Sequence, residues 1–221
     1  MTAQDLINYS IPVLRPTDTV SRALDVMQDC GVHQLVMIED NQLLAIFSED
    51  TLLNWLNDED ELAMLPLDAK PISGNVFQHI YELIGIANGH QLQLLPILDE
   101  DNSYVGGIVV AEMLAQFANQ LGVQDAGAVV ILKMNDYDYS LTDISRLIES
   151  NNTKIMSSFF AKNQLGLAES TLTLKLNRTD ISPVVATLQR FGYNIEGTYA
   201  DSGTENIDQN RLNSLLRYLE V

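Results

Sequence analysis

Apolar positions along this chain follow two rhythms, one helical and one of short continuous runs. Val20, Ala23, Leu24 and Met27 fall three or four apart and predict one buried helical face, with Gly31 where a left-handed C-terminal cap belongs. A short apolar segment, IPVL at 11–14, and the turn RPTDT precede that helix. After it, QLVMI (34–38) and LLAIF (43–47) read as strands joined across the polar turn EDNQ. Ser48 then stands at a helix N-cap ahead of EDTLLNWL, and Glu49 and Asp50 suit the positive end of the helix dipole.

The same order returns about sixty residues later. KPISGN (70–75) opens the second copy. VFQHIYELIGIANG predicts a helix with Phe77, Ile80, Tyr81 and Ile84 on one face, ending at Gly89. LQLLPIL (92–98) and YVGGIVV (104–110) read as strands around DEDNS, and AEMLAQFANQL (111–121) as a helix. Ala45 and Gly107 are equivalent positions of the two copies.

The last third has another spacing. AVVILKM (128–134), KIMSSFFA (154–161), STLTLKL (170–176) and IEGTYA (195–200) predict strands. SLTDISRLIESNN predicts a helix with Leu141, Ile144, Leu147 and Ile148 inward. DISPVVATLQRFG predicts a second helix, capped by Thr179 or Asp180, with Pro183 tolerated in the first turn. The resulting order, βαββαβ, is the ferredoxin-like plan. The expected divisions are 1–65, 66–122 and 123–221, the joint being ANQLGVQDAG at 118–127.

Composition narrows the function classes. Thirty acids against 12 Lys plus Arg leave a net charge of −18, which argues against nucleic acids and anionic membranes as partners. The densest acidic run, NDEDEL at 57–62, reads as a solvated connection. No apolar stretch approaches the roughly 20 residues that span a bilayer. The N-terminal MTAQDLINYS has no secretory pattern, and a single cysteine, Cys30, fits a reducing compartment, so the expected location is cytoplasmic. Cys30 and His33 supply too few ligands for a metal; Cys30 reads as a buried helix end, His79 as a core-edge residue and His90 as exposed. No P-loop, G-x-S-x-G, H-E-x-x-H or G-x-G-x-x-G is present, and no catalytic or metal set emerges.

Three features carry a family resemblance: the opening IPVLRPTDTVSRALDVM, the hairpin LLPILDEDNSYVGGIV, and the small-apolar-apolar-hydroxyl step into the last helix of copy one. Over roughly residues 8–122 the β-α-β-β-α duplication resembles a tandem of cystathionine-β-synthase (CBS) domains, a Bateman module. The last third, with Asp136, Leu141 and Ile144 at the intervals D-x-x-x-x-L-x-x-I, resembles an ACT domain. The order CBS–CBS–ACT is similar to that of acetoin-utilization regulatory proteins. The implied fold is mixed α/β: a pseudo-symmetric CBS pair followed by a ferredoxin-like ACT domain, associating as a homodimer.

The resemblance also implies a ligand. CBS domains form an adenosine pocket around Gly-apolar-apolar-Ser/Thr-x-x-Asp, the hydroxyl and helix N-terminus meeting a phosphate and the aspartate reading the ribose. Copy one reads Ala45, Ile46, Phe47, Ser48, Glu49, Asp50, Thr51, with Thr51 at the ribose position and Asp50 one place early, about 100° away around a helix. Copy two reads Gly107, Ile108, Val109, Val110, Ala111, Glu112, Met113, keeping the glycine and losing both polar groups. The expected adenosine-type site in copy one is Ile11, Val13, His33, Ala45, Ile46, Ser48, Asp50 and Thr51; the weaker one in copy two is Ile72, Gly107, Ile108 and Val110. The alternative reading of Ser48 is a plain N-cap with no ligand.

Among bases only Arg15, Arg22, His33 and Lys70 stand near these walls, which favours a nucleoside or AMP over ATP. In the ACT-like turn Asp138 and Tyr139 replace the usual Pro and Gly, followed by Ser140, which obstructs an amino-acid carboxylate; Tyr137 and Tyr139 would instead pack in a subunit interface. The sequence thus predicts a non-enzymatic regulatory protein with an adenine nucleotide as ligand and no required cofactor. The alternative is a scaffold with degenerate pockets that binds a protein partner.

Overall fold

Thr19 starts the first helix by accepting the Arg22 N–H on its hydroxyl, and Gly31 ends it at φ 64°, as the apolar spacing predicts. The computed structural model describes residues 1–67, 71–162 and 169–200. The chain comprises two compact units that divide after Phe117.

In the first unit, α1 (Val20–Cys30) buries Val20, Ala23 and Met27. Each such Val or Met side chain contributes about 1.5–3 kcal/mol by leaving water. β1 (Gln34–Glu39) and β2 (Gln42–Ser48) pair antiparallel. Their turn places Asp40 at φ 48° and Asn41 at φ 63°, the two left-handed residues that match a hairpin's twist. α2 (Glu49–Leu53) is shorter than the sequence predicts, because Asn54 closes it by donating from Nδ2 to the Asp50 carbonyl. Leu35, Met37, Ala45, Phe47 and Leu52 complete this core with α1.

The second copy comprises β3 (Gly74–Asn75), α3 (Ile80–Gly89), β4 (Leu94–Leu98), β5 (Tyr104–Val109) and α4 (Val110–Gln120). β4 pairs parallel with β3 and antiparallel with β5. The helix begins at Ile80, not at Val76. Asn75 and Gln78 hold the preceding residues in a side-chain-bonded turn, and His79 and Glu82 form a reciprocal capping box. The inward face is therefore Ile80, Leu83 and Ala87, while Phe77 and Tyr81 are exposed at 63% and 62%. His79 is correspondingly an exposed N-cap and not a core-edge residue, and Cys30, expected to be buried, is exposed.

The segments preceding each copy are exchanged. Met1, Ala3, Leu6 and Ile7 belong to the second copy's core, with Thr2 bridged to His79 and Asn8 to Gly107. Leu62 and Leu65 belong to the first copy's core, with Glu61 bridged to Thr19. The run NDEDEL keeps Asn57, Asp58, Glu59 and Glu61 exposed, as a solvated connection should, and also has a structural role. The Asp58 and Asp60 carbonyls accept the N–H groups of Ser21 and Val20, and the Asp60 carboxylate accepts from Trp55 Nε1 at 3.0 Å. The acidic run caps the start of α1.

The second unit runs β6 (Ala128–Asn135), α5 (Leu141–Glu149), β7 (Ile155–Lys162), β8 (Glu169–Leu176), α6 (Ser182–Arg190), β9 (Asn194–Ala200). The strands form one antiparallel sheet in the order β7-β8-β6-β9. Alternate residues of β6 and β8 are buried, with Val130, Leu132, Leu172 and Leu174 packing against Ile144, Ile148, Val184 and Leu188 of the helices. Leu141, placed inward by the periodicity, is exposed at the start of α5. The N-cap position of α6 is Ile181, which makes no side-chain cap bond; the Asp180 carboxylate, one of the two expected caps, accepts the Ser182 N–H at 3.1 Å. No helix among the described residues is long and apolar enough to cross a membrane.

Candidate functional site

The exchange of segments brings residues of both copies to the helix start at Ser48. Gln34 of β1, Ile46 and Ser48 of β2 and Thr51 of α2 meet Pro71, Ile72, His90 and Leu92 of the second copy. They enclose a cavity of about 300 Å³. Ile72, grouped by sequence with copy two, thus lies opposite the copy-one motif. Ser48 Oγ accepts the Thr51 N–H at 3.1 Å and shares a hydrogen bond with Thr51 Oγ1 at 2.7 Å. Ser48 Oγ caps α2, and both Ser48 and Thr51 line the cavity. Asp50 is exposed and does not line the cavity. Lys70 lies outside the described residues.

The remaining copy-one candidates do not converge there. Ala45 is buried opposite Met37 in the hairpin. Val13 is exposed, and Ile11 packs against the first core with its Cδ1 toward Gly107. His33 lines the other cavity, where its Nδ1 meets Glu49 Oε2 at 2.5 Å.

That second cavity, about 410 Å³, is the counterpart of the first. Val110 and Ala111 replace the hydroxyl step, Leu114 follows on α4, and Val32, His33 and Gln34 come across from copy one. Ile108 is buried. Gly107 does not open backbone to a ligand: a Cβ there would lie 2.8 Å from Leu94 Cδ1 and 3.2 Å from Ile11 Cδ1, so side chains already fill the space.

Gln34 lines both cavities and joins the copies. Its Oε1 accepts the N–H of Gln93 at 2.8 Å and of Leu94 at 3.2 Å. Gln34, Pro71, His90 and Leu92 are wall residues that motif matching misses. For Gln34 and Leu92 the signal is the duplication itself: the residues following each helix, 31–34 and 91–94, are equivalent and line the cavities between the copies.

In the second unit, Ser140 caps α5 through the Asp143 N–H, and Tyr139 stacks on Phe160 with ring centroids 4.4 Å apart. Tyr139 is thus held within its own unit, and Tyr137 is 98% exposed. Asp138 accepts from Asn135 Nδ2 at 3.0 Å and lines a polar cavity of about 470 Å³ with Lys133, Asn135, Glu169, Tyr193 and Asn194. Glu169 lies 2.6 Å from Lys133 Nζ, and its hydrogen bond and charge raise the lysine above its usual range. Among the described residues no group of three His, Cys, Asp or Glu is placed to hold a metal ion.

The family model of the CBS domain matches residues 3–58, so a CBS domain is present in the first unit. Solved structures similar to the chain include a CBS domain pair/ACT domain protein from Thermotoga maritima, at 15% identity over 54% of this chain and 98% of that one, TM-score 0.49. A putative acetoin utilization protein (AcuB) from Vibrio cholerae is 21% identical over 56% of this chain and 95% of its own, TM-score 0.49. CBSX2 in complex with AMP is 17% identical over 53% of this chain and 96% of its own, TM-score 0.47.

Proposed function

We propose that this chain, with its CBS domain at residues 3–58, is a non-enzymatic regulatory protein whose copy-one cavity binds adenosine or AMP in preference to ATP. The carrying observation is that Ser48 and Thr51 of one copy and Ile72 and His90 of the other line a single cavity. Apolar Ile46, Ile72 and Leu92 suit a base, and the two hydroxyls suit a ribose. A volume of about 300 Å³ stands at the small end of ligand pockets, which range over roughly 300–1,000 Å³. Among the described residues no Lys or Arg lines it, which favours a nucleoside or monophosphate over a triphosphate. A ligand touching both copies favours one arrangement of the pair over another in proportion to its unequal affinity for the two.

Calorimetric titration tests this. AMP and adenosine are expected to bind, and ATP no more tightly than AMP. Thr51→Asp supplies a charged acceptor at the ribose position and is expected to tighten AMP by about tenfold, the scale of one charge-assisted hydrogen bond. Asp50→Ala should leave AMP affinity unchanged. Tighter binding of ATP than of AMP, or no gain from Thr51→Asp, refutes the assignment.

The second unit is proposed as an ACT-like domain that carries a homodimer. β7 and β9 are the edges of its described sheet, and unpaired edges call for cover. Sedimentation equilibrium should return twice the chain mass. The rival reading, a scaffold with decayed pockets, is favoured by the Ser48–Thr51 hydrogen bond and the filled space at Gly107. It predicts no heat with any nucleotide.

A further inference from the structure

We propose that the surface running from α2 to Leu67 in the first unit docks a basic amphipathic helix of a partner protein. The proposal does not depend on the nucleotide reading. Along residues 49–67, Leu52, Leu62 and Leu65 are buried in the first core, while Leu53, Leu56, Met64 and Leu67 between them are exposed. Leu53 and Met64 are 62% and 66% exposed, and Leu56 is fully so. The backbone that carries them is tied down. Trp55 Nε1 donates to the Asp60 carboxylate at 3.0 Å, which folds the stretch after α2 back on the acidic run. The Leu62 and Ala63 N–H groups donate to the Asp18 and Pro16 carbonyls at 2.9 and 3.0 Å. Large apolar side chains held in water by a fixed backbone and rimmed by polar residues mark a protein-interaction surface.

Charge identifies what covers it. Residues 49–67 hold six acids and no Lys or Arg, and Asp50, Asp58, Glu59 and Glu61 are exposed among the apolar residues. Residues 1–117 carry 18 Asp plus Glu against three Lys plus Arg, so most of the chain's net charge of −18 resides in this unit. A second copy brings the same acids and is repelled. A segment with Lys and Arg flanking apolar residues is attracted and steered to the surface. Glu49 to Leu67 is helix and turn, with no strand edge to extend, so side chains make the contact. A helix with apolar residues three and four apart presents them together on one face.

A synthetic peptide of leucine and lysine, with leucines three and four apart, is the probe. It is titrated into the full-length protein at a series of salt concentrations and followed by fluorescence anisotropy. One peptide is expected to bind per chain, more weakly as salt rises. Leu53→Ser combined with Leu56→Ser should weaken binding by about tenfold or more, the scale of an interface anchor. Both positions are exposed, so the variant should keep the wild-type melting midpoint. Tyr137→Ser, at an exposed position of the second unit, should leave binding unchanged. A peptide of the same composition with its leucines scrambled should bind about tenfold more weakly, since it keeps the charge and loses the apolar face. Equal binding of the scrambled peptide, undiminished affinity in the double variant, or an equal loss in Tyr137→Ser overturns the proposal. So does a fall in the mass of the peptide-free protein when the double variant is made, read by sedimentation equilibrium, because it assigns the surface to a second copy.

Discussion

At Gln91 the backbone is left-handed, φ 53°, where the first copy has Gly31 at 64°. Both residues turn the chain out of a helix: the Gly31 N–H donates to the Gln28 carbonyl and the Gln91 N–H to that of Asn88. Glycine adopts this conformation freely, whereas an L side chain loses about 1–2 kcal/mol in it. Gln91 is exposed and gives up little packing on truncation. Gln91→Gly is expected to stabilise the protein by about 0.5–1 kcal/mol after the added chain entropy of the unfolded state is subtracted, as urea denaturation would measure. A loss of stability would mean that the Gln91 side chain makes a contribution that its exposure hides. Gly89, the residue sequence reasoning singles out, ends the helix but needs no special geometry, and a Cβ there meets nothing within 4 Å.

Between elements the tightest constraint lies at Gly127, just before β6. A Cβ at that position would stand 2.0 Å from the Leu176 carbonyl oxygen, a backbone atom fixed by the Ala128–Leu176 pairing of β6 and β8. Flexible side chains can move aside, but a ladder carbonyl cannot. Gly127→Ala should therefore destabilise the second unit by about 1–3 kcal/mol, the range for overpacking, and raise amide exchange first in β6 and β8. An unchanged melting midpoint would refute it. In the sequence this glycine closes the joint ANQLGVQDAG, where a glycine is ordinary, and carries no further signal. Its neighbours are different: the alternation in STLTLKL announced β8, and the burial of Leu172, Leu174 and Leu176 follows it residue by residue. Helix α5 was equally plain, since only Leu141 of its predicted face turns outward. Helix α3 starts later than the apolar period predicts because side-chain-bonded turns hold Phe77 outside it, while Tyr81, in its first turn, faces outward.

At the scale of the whole first unit the two copies meet through a few specific bonds, among them Gln34 Oε1 to Gln93 and Leu94 and the Tyr104 N–H to the Asn41 carbonyl at 2.7 Å. Burial pushes the Tyr104 phenol up to about 12. A phenol raised on folding is held neutral by the folded state. Its contribution is fully present below the ordinary tyrosine value near 10 and is lost as pH rises from there toward 12. Tyr193 in the second unit is raised by burial and by Asp143, so it acts in the same direction. Thermal midpoints measured from pH 9 to 12 should fall, and Tyr104→Phe should flatten that fall. An unaltered slope in Tyr104→Phe would exclude the residue as its source.

The sequence by itself determined the elements, their order, the duplication, and where hydroxyls and carboxylates lie along each copy, because apolar period, capping residues and turn chemistry are local properties. The placement of Ser48 as a cap was legible for the same reason. Only the tertiary structure decided which residues share a cavity. Met1 to Ile7 reach the second core and Leu62 the first, and Ile72, His90 and Leu92 stand opposite Ser48. Asp50, one residue from Thr51 in the chain, is turned out of that wall. Such meetings depend on how the copies close on each other, and that closure is set by packing among residues dozens of positions apart, to which no local pattern of apolar and polar residues is sensitive.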